Sequence, residues 1–143
     1  MEVIERVAEM LGGSAVLHRR VRSWVDLERL VSAGLPKRSL QLVARRAVEP
    51  GASVSAFIYS VVPSATFKRR TRLSVAESER TERIARVVAL AESLWGDEDE
   101  ARAFLNRPHP LLEDETPLNV ARTEIGARRV EHLLHDIEHG LPA

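Results

Sequence analysis

The chain has 143 residues, its 21 Lys+Arg are matched by 21 Asp+Glu, and it contains no cysteine. That length supports a buried core without covalent staples, and the missing thiols exclude a disulfide framework or a thiolate metal site. No apolar run approaches bilayer length and no signal-peptide pattern opens the chain, so a soluble cytoplasmic protein is expected, with few aromatics and an aliphatic core.

In chain order, Val3, Ile4, Val7, Met10 and Leu11 make a short amphipathic helix that Gly12-Gly13 ends. Ala15 to Val21 is ambiguous, with Val16, Leu17 and Val21 fitting a short extended piece followed by a loop. Ser23 is an N-cap candidate for a helix carrying Trp24, Leu27, Leu30 and Val31, closed by Gly34. Pro36 opens the next helix, through about Val48, with Leu40, Val43, Ala44 and Ala47 as its buried side. Glu49-Pro50-Gly51 is a turn. Each of these helices is about ten residues long and amphipathic, so each needs the others for stability.

From Ser53 to Arg72 a short helix (Val54 to about Tyr59) breaks at Val61-Val62, and a second one starts near Pro63-Ser64 and ends in Lys68-Arg69-Arg70. This is the layout of a helix-turn-helix, in which the second helix enters a major groove. On that reading Ser64, Ala65, Thr66 and Lys68 face base edges, while Arg69, Arg70 and Arg72 hold phosphates and make binding salt-dependent. Two features weigh against it. Val61 occupies the turn position where glycine is preferred, and basic residues at a helix end are often simply solvated. A dimerisation scaffold without DNA contact is the alternative.

Ser74 and Glu77 form a capping box, S-x-x-E, at the start of the longest helix, which runs to Trp95 with Ile84, Val87, Val88, Ala91, Leu94 and Trp95 on one side. Gly96 stops it, and Asp97-Glu98-Asp99-Glu100 places negative charge on the first turn of the following helix, where the helix dipole favours it. That acidic cluster lacks the alternating ligands and glycine of a calcium loop. Pro108 and Pro110 end this helix, and Thr116-Pro117 begins another with a cap residue and Pro at its first position. A last helix spans about Thr123 to His139 and stops at Gly140, with Pro142 just beyond. Val130, Leu133, Leu134, Ile137 and Leu141 lie on one side of it, and His132, His135 and His139 on the other.

The zero net charge conceals an asymmetry. Residues 1–75 carry 13 basic against 6 acidic side chains (13 − 6 = +7), and residues 76–143 carry 8 against 15 (8 − 15 = −7). The split points to a basic half that meets a polyanion and an acidic half that meets something else, or to mutual attraction of the halves within a dimer. The histidine face, with Glu131 or Asp136 in support, has the residue types of a zinc site, but H-E-x-x-H is absent and solvated histidines are the simpler reading. No nucleophile elbow, phosphate-binding loop or dinucleotide fingerprint occurs, so nothing points to catalysis.

The ordered set Phe104, Leu105, Pro108, Pro110 and Leu112, then Thr116, Pro117 and Leu118, then Gly126, Ala127, Arg128, Val130, Leu133, Leu134, Ile137, Glu138, His139 and Gly140 resembles the C-terminal toxin-binding domain of the Xre/MbcA/ParS antitoxins. These are encoded beside RES-domain toxins in bacterial type II toxin–antitoxin pairs. The chain departs from the family in the turn before Thr116-Pro117, usually glycine-rich and here Glu113-Asp114-Glu115. The resemblance implies an all-α fold, with an Xre-like helix-turn-helix or dimerisation domain over 1–73 and a toxin-binding domain over 74–143. It implies no enzyme activity and no cofactor. Its partners would be a RES-domain toxin that consumes NAD or transfers ADP-ribose, operator DNA for autorepression, and a second copy within a toxin–antitoxin hetero-oligomer. The toxin-binding residues would be Arg128, Glu131, His135, Glu138, His139, Gly140, Leu141, Pro142 and Ala143, at a helix end that enters the toxin's cleft. The partial negative charge of a helix C-terminus, Glu138 and the Ala143 carboxylate suit a site built for a pyrophosphate. A plain C-cap with a hydrophobic contact from Leu141 is the alternative for the same residues. Two other classes stand against the whole reading: a stand-alone helix-turn-helix regulator, and a metal-dependent enzyme using the histidine face.

Overall fold

A computed structural model of the chain describes residues 2–140, and within them the fold is all α, with no strand. The helices are α1 (Val3–Met10), α2 (Gly13–Leu17), α3 (Trp24–Ala33), α4 (Lys37–Ala47), α5 (Val54–Val61), α6 (Ser64–Arg69), α7 (Val75–Trp95), α8 (Glu98–Leu105), α9 (Pro117–Val120) and α10 (Glu124–Glu138). A single 3-10 turn covers Pro110–Leu112.

The start signals act as their chemistry requires. Ser23, Ser53, Thr116 and Thr123 each accept a backbone N–H of the first turn, and Ser74 and Glu77 complete a reciprocal capping box. Asp97 accepts from the N–H groups of both Asp99 and Glu100. Gly96 stops α7 in the left-handed conformation (φ 65°).

One expectation fails. Residues 15–21 contain no extended piece, because Gly13–Leu17 is a helical turn. Gly12 adopts φ 116°, and a Cβ there would lie 2.4 Å from the Val16 Cβ. This sharp reversal folds α2 back beside α1 and buries Leu17.

The centre of the molecule is α7. It packs against α1, α3, α4 and α5 from the first part of the chain and against α8 and α10 from the last. Of the anticipated stripe, Ile84, Val87, Val88 and Ala91 are buried and Leu94 and Trp95 partly so, but Thr81, Ala85, Ala89 and Glu92 are buried as well. A helix enclosed from several directions buries small and polar residues beside its aliphatic stripe, and an apolar pattern does not register those. One aliphatic core results, running from Ile4 to Leu134. Where residues 34–36 pass beside 72–73, Leu73 donates its N–H to the Leu35 carbonyl at 2.9 Å and Leu35 donates to the Ser78 hydroxyl at 2.8 Å. Trp24 departs from its anticipated place, since at the first turn of α3 it stays 49% exposed while Leu27 takes the buried position.

Charge enters the core at Glu92, which is 2% exposed. Arg46 of α4 grips it with two hydrogen bonds of 2.6 and 3.1 Å, Arg6 of α1 approaches to 3.8 Å, and Arg46 also pairs with Glu98 of α8 at 3.2 Å. A buried carboxylate is tolerated only with such compensation. The cluster fixes the orientation of α1, α4 and α8 around α7.

Candidate functional site

Two surfaces hold the residues singled out by sequence. The first is the pair α5–α6. Phe67 is the buried anchor of α6, meeting Tyr59 edge-to-face at 6.1 Å. The Lys37 ammonium donates to the Phe67 carbonyl at 3.2 Å and sits 5.0 Å from its ring centroid. Arg80 of α7 donates to the Val61 carbonyl at 3.0 Å, at the end of α5. With α6 so fixed, Ser64 and Thr66 are partly exposed, and Ala65, Lys68, Arg69, Arg70 and Arg72 are exposed.

The basic residues are not equivalent. Arg70 pairs with Glu77 at 2.5 Å, and Arg72 donates to the Gly34 carbonyl at 2.7 Å. Both therefore help hold α6 and its exit segment to the body. Lys68 and Arg69 form no ion pair among the described residues. They are the charges most available to an outside anion.

The second surface is the C-terminal segment. Its turn before α9 is built on left-handed residues, Glu113 (φ 53°) and Asp114 (φ 61°), so the departure from glycine leaves the turn's shape requiring positive φ. Arg129 braces it, with its guanidinium 2.7 Å from the Glu113 carboxylate. His109, buried under the turn, accepts the Leu111 N–H on Nδ1 at 3.1 Å and packs its ring against Phe104, which in turn meets Trp95. The F-L-x-x-P-x-P pattern thus builds a packed corner in which the aromatic ring and the proline-fixed backbone hold one another.

The glycine of the G-A-R run has a steric cause. A Cβ on Gly126 would fall 1.8 Å from the Val120 carbonyl oxygen, so the start of α10 meets the end of α9 backbone to backbone. Ala127, Val130, Leu133 and Leu134 then turn into the core. Arg122, between α9 and α10, donates to the Ser60 hydroxyl at 2.9 Å and lies 5.6 Å from the Phe57 ring centroid, tying this segment to α5.

The remaining side of α10 carries the anticipated binding residues. Arg128 is exposed beside Glu124 at 3.4 Å, and His135, Glu138, His139 and Gly140 are exposed, as is His132 of the histidine face. Glu131 differs, because Arg86 of α7 holds its carboxylate at 2.5 Å and also holds Glu82 at 2.9 Å. It is a brace between helices as much as a surface group. Burial raises the Glu82 carboxyl above its usual range, against the pull of Arg86. A groove beside α10 is lined by Val3, Leu90, Leu94, Leu134, His135 and Glu138 among others. Leu141, Pro142 and Ala143, also expected to bind, lie outside the described residues.

Sequence reasoning missed the Glu92 cluster and the Glu82–Arg86–Glu131 bridge. Arg46 and Glu92 lie 46 residues apart and Arg86 and Glu131 lie 45 apart, beyond any local pattern, although Glu82 and Arg86 form an i,i+4 pair.

The fold and this surface define an all-α protein whose last described helix keeps a polar side exposed, and comparison with known proteins sharpens the class. Residues 90–140 match the family described as the antitoxin Xre/MbcA/ParS C-terminal toxin-binding domain. In that part the chain is Xre/MbcA/ParS-like. It is 32% identical over 84 residues to Antitoxin Xre of Pseudomonas putida, covering 56% of this chain and 53% of that one. It is 38% identical over 71 residues to Antitoxin Xre of Photorhabdus laumondii (49% and 48% covered), and 34% identical over 85 residues to Antitoxin Xre of Yersinia enterocolitica (56% and 57%). The chain thus spans about half the length of the curated relatives it matches. No helix of the described residues is long and apolar enough to cross a membrane.

Proposed function

We propose that this chain is the antitoxin of a bacterial toxin–antitoxin pair. It inhibits a RES-domain toxin, an NAD-consuming or ADP-ribosyl-transferring enzyme, by seating the C-terminal end of α10 in the toxin's cleft. The observation that carries the reading is the match of residues 90–140 to a toxin-binding domain whose last helix keeps its polar side exposed. The electrostatics support it: a helix C-terminus bears roughly half a negative charge, and Glu138 adds a whole one. Arginines shaped for an anionic dinucleotide would accept both. Residues 141–143, which lie outside the described residues, are assigned to the docking tip in this reading.

The first part of the chain serves DNA in the same scheme. Residues 1–73 present α5–α6 to an operator and 74–143 bind toxin, in a cytoplasmic complex built on an antitoxin dimer. Ser64, Ala65, Thr66 and Lys68 meet base edges, and Arg69 meets phosphate.

The test is co-expression with the RES-domain protein of a neighbouring gene and measurement of NAD loss. Intact chain suppresses the loss. A chain lacking residues 141–143, or carrying Glu138→Arg, suppresses it less. Undiminished suppression by both variants would remove the cleft mechanism, and failure of the two proteins to co-purify would leave a stand-alone regulator. On promoter DNA, Arg69→Ala lowers affinity and reduces the salt slope by about 1.

A further inference from the structure

We propose that His135, Glu138 and His139 form a binding site for a single divalent transition-metal ion, zinc above all, at the exposed end of α10. One ligand atom from each residue lies within 4.8 Å of the others, and the two imidazole rings are 4.2 Å apart, edge to face. The spacing explains the convergence. Residues four apart on a helix stack on adjacent turns, and residue 138, three after His135, fills the third corner. In a tetrahedral zinc site with ligands at ~2.0–2.1 Å, the donor atoms stand about 3.4 Å from one another. Side-chain torsions alone can close the difference, because all three residues are exposed.

Ligand chemistry and local field agree. Two imidazoles and a carboxylate suit an ion of borderline softness, and three protein ligands leave a fourth position for water. The ion would sit beside the last turn of a fifteen-residue helix, whose negative end favours a cation. The site differs from the face of three histidines suggested by sequence. His132 lies outside the cluster, and Glu131, one of the two supporting carboxylates anticipated there, is held by Arg86. The proposal concerns the free chain and stands whether or not α10 docks into a toxin.

The experiment is calorimetric titration of zinc chloride into the full, untagged chain, so that no added histidines compete. One saturable equivalent is expected. His135→Ala and His139→Ala should each weaken it by on the order of tenfold or more, Glu138→Gln by less, and His132→Ala should leave it unchanged. Circular dichroism of each variant checks that the helix is intact, which its exposed positions favour. Absence of saturable binding overturns the site. So does binding that survives the His135→Ala, His139→Ala double variant, or that is lost with His132→Ala.

Discussion

Gly126 shows how a single residue can serve packing and recognition pattern together. Its place in the G-A-R run was readable in the sequence, but the reason was not, because the obstructing atom is a backbone oxygen six residues earlier, across a helix–helix corner. Gly126→Ala cannot be absorbed by rotating a flexible neighbour. Over-packing of this kind costs about 1–3 kcal/mol, and contact with a rigid carbonyl places this case at the upper end. Urea unfolding should show a lower midpoint with an unchanged slope. A variant as stable as the parent would mean that α9 and α10 can separate without loss. Glu113 and Asp114 present the converse case: positive φ without glycine, which no composition rule would have located.

Between elements, the features with short-range causes were legible and the others were not. Ser74-Glu77, Gly96, Asp97 and Thr116-Pro117 act within one helical turn, so the sequence specifies them directly. The groups that pair whole helices, such as Arg46 with Glu92 or Arg86 with Glu131, depend on the tertiary arrangement. Glu82 stands between the two kinds, an i,i+4 partner on α7 of the Arg86 that reaches Glu131 on α10. Burial raises its folded carboxyl above that of the unfolded chain. Its favourable contribution is therefore complete below the ordinary carboxylate range and is lost as pH rises through the folded value. Glu82→Gln, which does not titrate, should gain stability relative to the parent between about pH 4 and pH 7. Thermal unfolding at both pH values checks it; a relative loss toward pH 7 would show that attraction to Arg86 outweighs burial.

For the molecule as a whole, α7 decides how the parts behave. It was legible as the longest helix, but its enclosure was not, since Thr81, Ala89 and Glu92 look like solvent-facing positions in a linear pattern. With α1, α3, α4 and α5 on one part of its surface and α8 and α10 on the rest, one core spans the chain. A single calorimetric transition is expected, with calorimetric and van't Hoff enthalpies equal. Two resolved transitions would mean that the helices before and after α7 hold together independently.

The enclosure of α7 also restricts how such a chain can diversify. A lineage that exchanged its front helices would have to preserve the surface against which the rear helices rest, and the reverse holds for an exchange of the rear helices. Innovation is left to the outward side chains of α6 and α10, while the shared axle between them stays fixed.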